Sequence, residues 1–214
     1  MNKTLGILTV LILACKFSFA QKTHTFEENI RLAIEDKNSI YFYPNLINKI
    51  KTQPDQITKE EMQYLYYGQI YKSGTGLSFL DNPEEGNFRK AVMQKRCKKV
   101  IKIGYTLIEK SPVSLTTLMH TNNCRQSLNL PDQTYYLDSR LKLILDVILS
   151  TGDGKTKETA IKIANIEDDY IVKGVLGFLG GKETLHVADN KSFSIWSKDD
   201  EKIYFEDSWA YKYK

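Results

Sequence analysis

Leu149-Ser150-Thr151-Gly152-Asp153-Gly154 opens the stretch on which the fold turns. The stretch continues through Glu158-Thr159-Ala160 and two β-like runs around Glu167-Asp168-Asp169-Tyr170, and ends at Gly180. Upstream of it, apolar residues recur with the period of helices; downstream they alternate as in strands. The expected fold class is therefore α+β, with a helical region over residues 21–151 and a β-rich region over 152–214. Gly152 is the expected helix stop, because glycine takes the left-handed conformation after a helix at little cost.

Moving upstream, Gln133 to Leu149 reads as a helix with Leu137, Leu141, Ile144 and Ile148 as its stripe, and Pro131-Asp132 as its start signal. A longer helix is predicted from about Asn87 to Glu109, with Met93, Cys97, Ile101, Gly104 and Ile108 on one face. Ser111-Pro112 breaks it, and a partner helix follows from Val113 to about Ser127. Thr25-x-x-Glu28 and Thr58-x-x-Glu61 are capping boxes, in which a hydroxyl and a carboxylate satisfy free backbone donors at a helix start. The first opens a helix with Phe26, Ile30 and Ile34 on one face, and a short helix is expected from Pro44. The second opens a helix through Tyr64, Tyr66, Tyr67 and Tyr71, where Gly68 would admit a close neighbour. Ser73 to Gly86 reads as a long loop.

Paired helices of this kind resemble tetratricopeptide-type repeats, and Tyr67-Gly68-x-x-Tyr71 resembles one of their signatures. The strict repeat period is missing, and Asn122 stands where the repeat glycine belongs. A plain helical bundle is the competing reading.

Downstream of the hinge, Ile161 and Ile163, Tyr170 to Phe178, Leu185 and Val187, Phe193 to Trp196, and Ile203 to Phe205 are strand candidates separated by turn residues. They predict a small antiparallel meander packed on the helices.

The first twenty residues have the pattern of a signal peptide: Lys3, an apolar run from Leu5 to Ala14, and Ser18-Phe19-Ala20 before Gln21. The run is short for a membrane span, and no later stretch is long enough. Export to the periplasm or beyond is the expectation. Ile12-Leu13-Ala14-Cys15 offers the alternative of a lipid anchor at Cys15. Cleavage removes Lys3 and Lys16 and lowers the formal net charge from +4 to +2. A charge that small, in an exported chain, argues against nucleic acid as partner.

Tyr41-Phe42-Tyr43-Pro44, Tyr64-Leu65-Tyr66-Tyr67-Gly68, the run from Cys97 to Pro112, Gly152-Asp153-Gly154 and Glu158-Thr159-Ala160 occur in that order. In order and spacing they resemble the DUF4919 family of uncharacterised exported proteins, found largely in Bacteroidetes. The resemblance covers nearly all of the mature chain. It implies export and a shared fold, and no known activity or site residue. The stretch from Gly74 to Gly86 departs from the family pattern.

The residue types that carry chemistry do not assemble into a catalytic set. His24, His120 and His186 lie in distant segments without a partner at metal-ligand spacing. Gly152-Asp153-Gly154 lacks the ligands of a calcium loop and the following helix of a phosphate loop. Glu167-Asp168-Asp169 has no identifiable base or nucleophile beside it, and acids favour turns. The basic run Arg89, Lys90, Lys95, Arg96, Lys98, Lys99 and Lys102 reads as a solvated helix face. No cofactor, metal or catalytic residue is assigned.

The binding candidates are Tyr64, Tyr66, Tyr67 and Tyr71, since aromatic rings with polar tips form platforms and interface hot spots; ordinary helix packing is the competing use. Cys97 and Cys124 are expected to form a disulfide in an oxidising compartment. They lie 14 residues before and 13 residues after the turn at Ser111, hence at the same height in an antiparallel helix pair. Closing that loop stabilises by roughly 3–4 kcal/mol on the chain-entropy model. The functional expectation is a non-enzymatic module that binds a protein or a cell-envelope component. A periplasmic inhibitor or immunity-like protein, or an envelope hydrolase, is the alternative. A pocket placing His120 or His186 beside an acid favours the hydrolase; an open apolar or aromatic patch favours binding.

Overall fold

The computed structural model of the protein describes residues 25–71, 83–132, 135–188 and 190–208. His24, the leader segment with Cys15 and Ala20, and most of the Ser73–Gly86 loop lie outside those residues. Among the described residues, seven α-helices come first: α1 (Phe26–Glu35), α2 (Tyr43–Thr52), α3 (Lys59–Gly68), α4 (Pro83–Met93), α5 (Cys97–Lys110), α6 (Leu115–Ser127) and α7 (Leu137–Leu149). There follow β1 (Ile161–Lys162), α8 (Asp168–Val175), β2 (Lys182–Ala188), β3 (Lys191–Lys198) and β4 (Glu201–Glu206). The chain is α+β, as its change of period implies.

Local chemistry explains several helix ends. Thr25 caps α1 by accepting from the Glu28 backbone, and Thr58 and Glu61 cap α3 reciprocally. Gly68 lets the Tyr43 ring and Ile34 approach: a Cβ there would sit 3.1 Å from the ring and 3.2 Å from Ile34. Around α3 the helices α1, α2 and α7 pack, while α6 lies between α5 and α7.

The predicted single helix from Asn87 to Glu109 is two helices. Lys95 adopts a left-handed φ of 53°, and the Lys95 and Arg96 amides donate to the Val92 and Ala91 carbonyls. These are the two bonds of a Schellman stop, which ends α4 without a glycine. The reversal lets α4 fold back on α5, so that Phe88 and Ala91 bury against Val100 and Leu107. Met93, expected on the apolar stripe, is 83% exposed as a result. Pro83 to Gly86, read as loop, forms the first turn of α4.

Helices α5 and α6 are antiparallel across Ser111-Pro112. Cys97 and Cys124 are joined by a disulfide with their α-carbons 4.9 Å apart, within the range a bridge spans. Further along the pair, Gly104 faces Thr121 so closely that a Cβ would fall 2.0 Å from the Thr121 hydroxyl oxygen. The close helix crossing thus uses Gly104. Asn122, at the place of the repeat glycine, joins a polar bolt between α6 and α7 instead. Its amide donates to Asp138 and accepts from Arg125, and Arg125 also donates to Asp138 and the Leu130 carbonyl.

The hinge differs from expectation in one respect. Gly152 does not have a positive φ; Gly154 does, at 68°. Gly152 is required for space, because a Cβ there would lie 2.2 Å from the Thr159 carbonyl oxygen. The Gly154 amide donates to that same carbonyl, and the Gly154 carbonyl accepts from Tyr204. The loop therefore doubles back and delivers β1 to the sheet.

The sheet order is β1-β4-β3-β2. The meander β2-β3-β4 is antiparallel as expected, and β1 adds a parallel edge to β4. The segment Tyr170 to Phe178, read as a strand, is instead α8 and its stop. Asp168, Ile171 and Val172 are buried at helical spacing, and two acids in the first turn suit the helix dipole. Gly177, at φ 85°, ends it with another Schellman pair of bonds. Ile161, Ile163, Ile171, Val172, Trp196, Ile203 and Phe205 share one core with α1, α2, α3 and α7.

Candidate functional site

Of the tyrosine cluster, Tyr64 and Tyr71 are half-buried. Tyr66 and Tyr67 are fully buried. The Tyr66 hydroxyl donates to Asp168 Oδ2 at 2.6 Å and accepts from the Ala164 amide at 3.1 Å. The Tyr67 hydroxyl donates to the Lys162 carbonyl at 2.8 Å. Tyr71 donates to the Glu27 carbonyl, and Tyr64 stacks on Tyr41 with ring centroids 3.9 Å apart. Tyr66 and Tyr67 thus tie α3 to the segment entering α8, and neither offers a surface to a ligand.

The acids of Glu167-Asp168-Asp169 open α8 and point three ways. Arg89 on α4 holds Glu167 through two bonds of 2.6 and 2.9 Å. Asp168 faces Tyr66. Asp169 Oδ2 accepts from the Ser194 hydroxyl and the Trp196 indole on β3, at 2.8 and 2.9 Å. Burial pushes the Asp168 carboxyl up to about 7 and raises that of Asp169. These acids fasten α8 to the helices on one side and the sheet on the other. His120 is half-buried with its pKa lowered, by burial first and by Arg89 second. His186 on β2 meets the Lys157 amine at 2.8 Å, not an acid. Apart from Arg89 and Lys90, the basic run lies on α5 and the turn before it, and all but Arg89 are exposed. Among the described residues no group of three His, Cys, Asp or Glu side chains could hold a metal, and no helix is long and apolar enough to cross a membrane.

A further exposed surface lies along the outer edge of the sheet. Among the described residues, strand β2 pairs with β3 on one side and with no strand on the other. Side chains directly opposite each other across a sheet point to the same face. Leu185 lies opposite Ser194, which lies opposite Phe205; Glu183 lies opposite Trp196, which lies opposite Ile203. Phe205, Trp196 and Ile203 are core residues, so Glu183, Leu185 and Val187 belong to the core-facing side. The helical layer nevertheless stops short of them. Leu185 is 63% exposed and Val187 74%. Helix α8 covers the Trp196 end of that face and meets β2 at Glu183, which accepts from the Tyr170 hydroxyl at 3.0 Å. Tyr170, Val175 and Leu179, on α8 and just beyond it, are exposed as well.

Beside Tyr170, the amine of Lys173 lies over the Tyr170 and Trp196 rings. Its pKa is lowered by burial, and Asp169 and Glu183 oppose that shift. The arrangement is an apolar shelf along an edge strand, flanked by α8, and it suits pairing with an extended chain. Sequence reasoning identified Leu185 and Val187 as a strand. That this strand lies at an edge depends on strand order, which no local pattern carries.

The family model of DUF4919, a domain of unknown function, matches residues 28–213. No curated protein and no solved structure matches the chain.

Proposed function

Since the chain belongs to the DUF4919 family, a domain of unknown function, we propose from its own surface that it is an exported, non-enzymatic binding module. It takes up an extended segment of a protein partner along the free edge of β2. The observation that carries this reading is the exposure of Leu185 and Val187 on the core-facing side of a seven-residue strand that, among the described residues, pairs on one side only. An exposed apolar edge is a template for strand addition: backbone hydrogen bonds supply affinity, and alternate side chains supply selectivity. Inhibition of an envelope-acting enzyme or toxin is a special case, distinguished by the identity of what is bound. The hydrolase alternative draws no support from the histidines. His186 sits beside a lysine, and Glu167, the carboxylate that acts on His120, is already held by Arg89.

The test is affinity capture from the native envelope with mass spectrometry, run on the wild type and on the Leu185→Asp/Val187→Asp double variant. A partner kept by the wild type and lost by an equally stable variant is the expected result. A partner kept by both would move the site away from β2. Release of soluble fragments from envelope polymers on incubation would replace binding by hydrolysis.

A further inference from the structure

We infer that the segment taken up by β2 alternates acidic and apolar residues, with its acids on the outer face of the sheet and its apolar side chains on the inner face. The inference rests on the binding reading above and specifies the chemistry of the partner.

Period two divides β2 into two rows. The inner row is Glu183, Leu185 and Val187. Glu183 is already engaged, accepting from the Ser194 hydroxyl at 3.0 Å and the Tyr170 hydroxyl at 3.0 Å. Leu185 and Val187 are left to meet apolar side chains. The outer row is Lys182, Thr184 and His186. Lys182 is exposed, and the Lys157 amine is set against the His186 ring at 2.8 Å. Among the described residues neither lysine takes part in an ion pair, whereas Lys162 and Lys191 on the same sheet share Glu206.

A strand laid against this edge must obey the same alternation, because a shift of one residue would turn its apolar side chains out to water. Its outer side chains then fall opposite Lys182 and beside Lys157, where carboxylates gain and ammonium groups are repelled. The same charges select against a second copy of this chain. Antiparallel self-pairing would bring Lys182 and Lys157 of both copies onto one side of the joint. A lipid surface fits less well, since it would leave the outward backbone donors and acceptors of β2 without hydrogen-bonding partners.

The experiment measures binding of labelled seven-residue peptides to the full chain by fluorescence polarisation. One peptide alternates valine and glutamate, and the other valine and lysine. The glutamate peptide is expected to bind roughly tenfold tighter, as a few exposed ion pairs provide, and its advantage should shrink as salt is added. In the Lys157→Glu/Lys182→Glu double variant, checked for an unchanged melting temperature, the order should reverse.

Equal affinities, or an order the variant does not reverse, would overturn the charge pattern. Strand uptake itself would still stand if Leu185→Asp/Val187→Asp abolished binding of both peptides. If neither peptide binds, the inference falls. It falls equally if the chain instead sediments with phosphatidylglycerol vesicles through these lysines, or forms dimers that Val187→Asp dissolves.

Discussion

Asp168 shows how one buried side chain sets a property of the whole protein. Its carboxyl is fully buried, with Tyr66 donating to one oxygen. Burial raises its pKa to about 7; the neighbouring Glu167 and Asp169 push the same way, and the Tyr66 hydrogen bond opposes them. In the unfolded chain the group titrates near the usual aspartate value of about 4. Between those values the native state holds a proton that the unfolded state has lost, so stability falls as pH rises. The favourable contribution is complete below about pH 4 and is lost as pH rises through about 7. Asp169 and Asp207 are shifted upward by burial as well and add to the trend, while His120, lowered by burial first, works against it near the ordinary histidine value. Glu61 and Glu206, whose values are lowered, act only at more acid pH, where their ion pairs with Lys49 and with Lys162 and Lys191 are lost. The melting temperature should therefore be higher at pH 5.5 than at pH 8. Asp168→Asn, which still accepts from Tyr66, should flatten that slope. A slope of the same size in the variant would show that another group carries it.

At the scale of elements, helices with standard punctuation could be read from the sequence. Thr25, Thr58 and the Ser111-Pro112 break announce themselves, and the equal spacing of Cys97 and Cys124 about the turn brings them to one height. The failures share a cause. At Lys95 the chain makes a glycine-type stop with a lysine, so the sequence offers no signal there, and helical period continues in appearance across the break. At Asp168 to Val175 a short, β-branched apolar run fits either element, and packing between the helices and the sheet decides for helix. The first failure yields a prediction. A non-glycine residue in the left-handed region costs on the order of 1 kcal/mol, and Lys95 is exposed with little packing to lose. Lys95→Gly should stabilise the protein by about 0.5–1 kcal/mol after allowing for the greater freedom glycine gives the unfolded chain. Chemical denaturation decides it, and a variant less stable than wild type would contradict the αL reading.

For the molecule as a whole, the legible part was the division into a helical half and a β half. The candidate site was not legible, because which strand ends a sheet, and how far the helical layer reaches across it, follow from tertiary order alone. The same tertiary order argues that the two halves melt together. Helix α8 is held to α3 by Asp168 and Tyr66, to α4 by Glu167 and Arg89, and to β3 by Asp169 with Ser194 and Trp196. Tyr67 binds the Lys162 carbonyl in β1, and a single apolar cluster runs from Ile30 to Phe205. Unfolding the sheet alone would uncover the face of that cluster it packs on and strand buried carboxylates and hydroxyls, at a cost comparable to unfolding everything. The chain has two tryptophans, and replacing Trp209 with phenylalanine leaves Trp196, at the joint of α8 and β3, as the reporter of the sheet. In that variant the urea midpoint read from Trp196 fluorescence should coincide with the midpoint read from far-ultraviolet circular dichroism of the helices. A fluorescence transition clearly ahead of the helical one would mean that the sheet detaches first. The edge strand would then belong to a separately mobile unit, not to the rigid platform on which the binding reading depends.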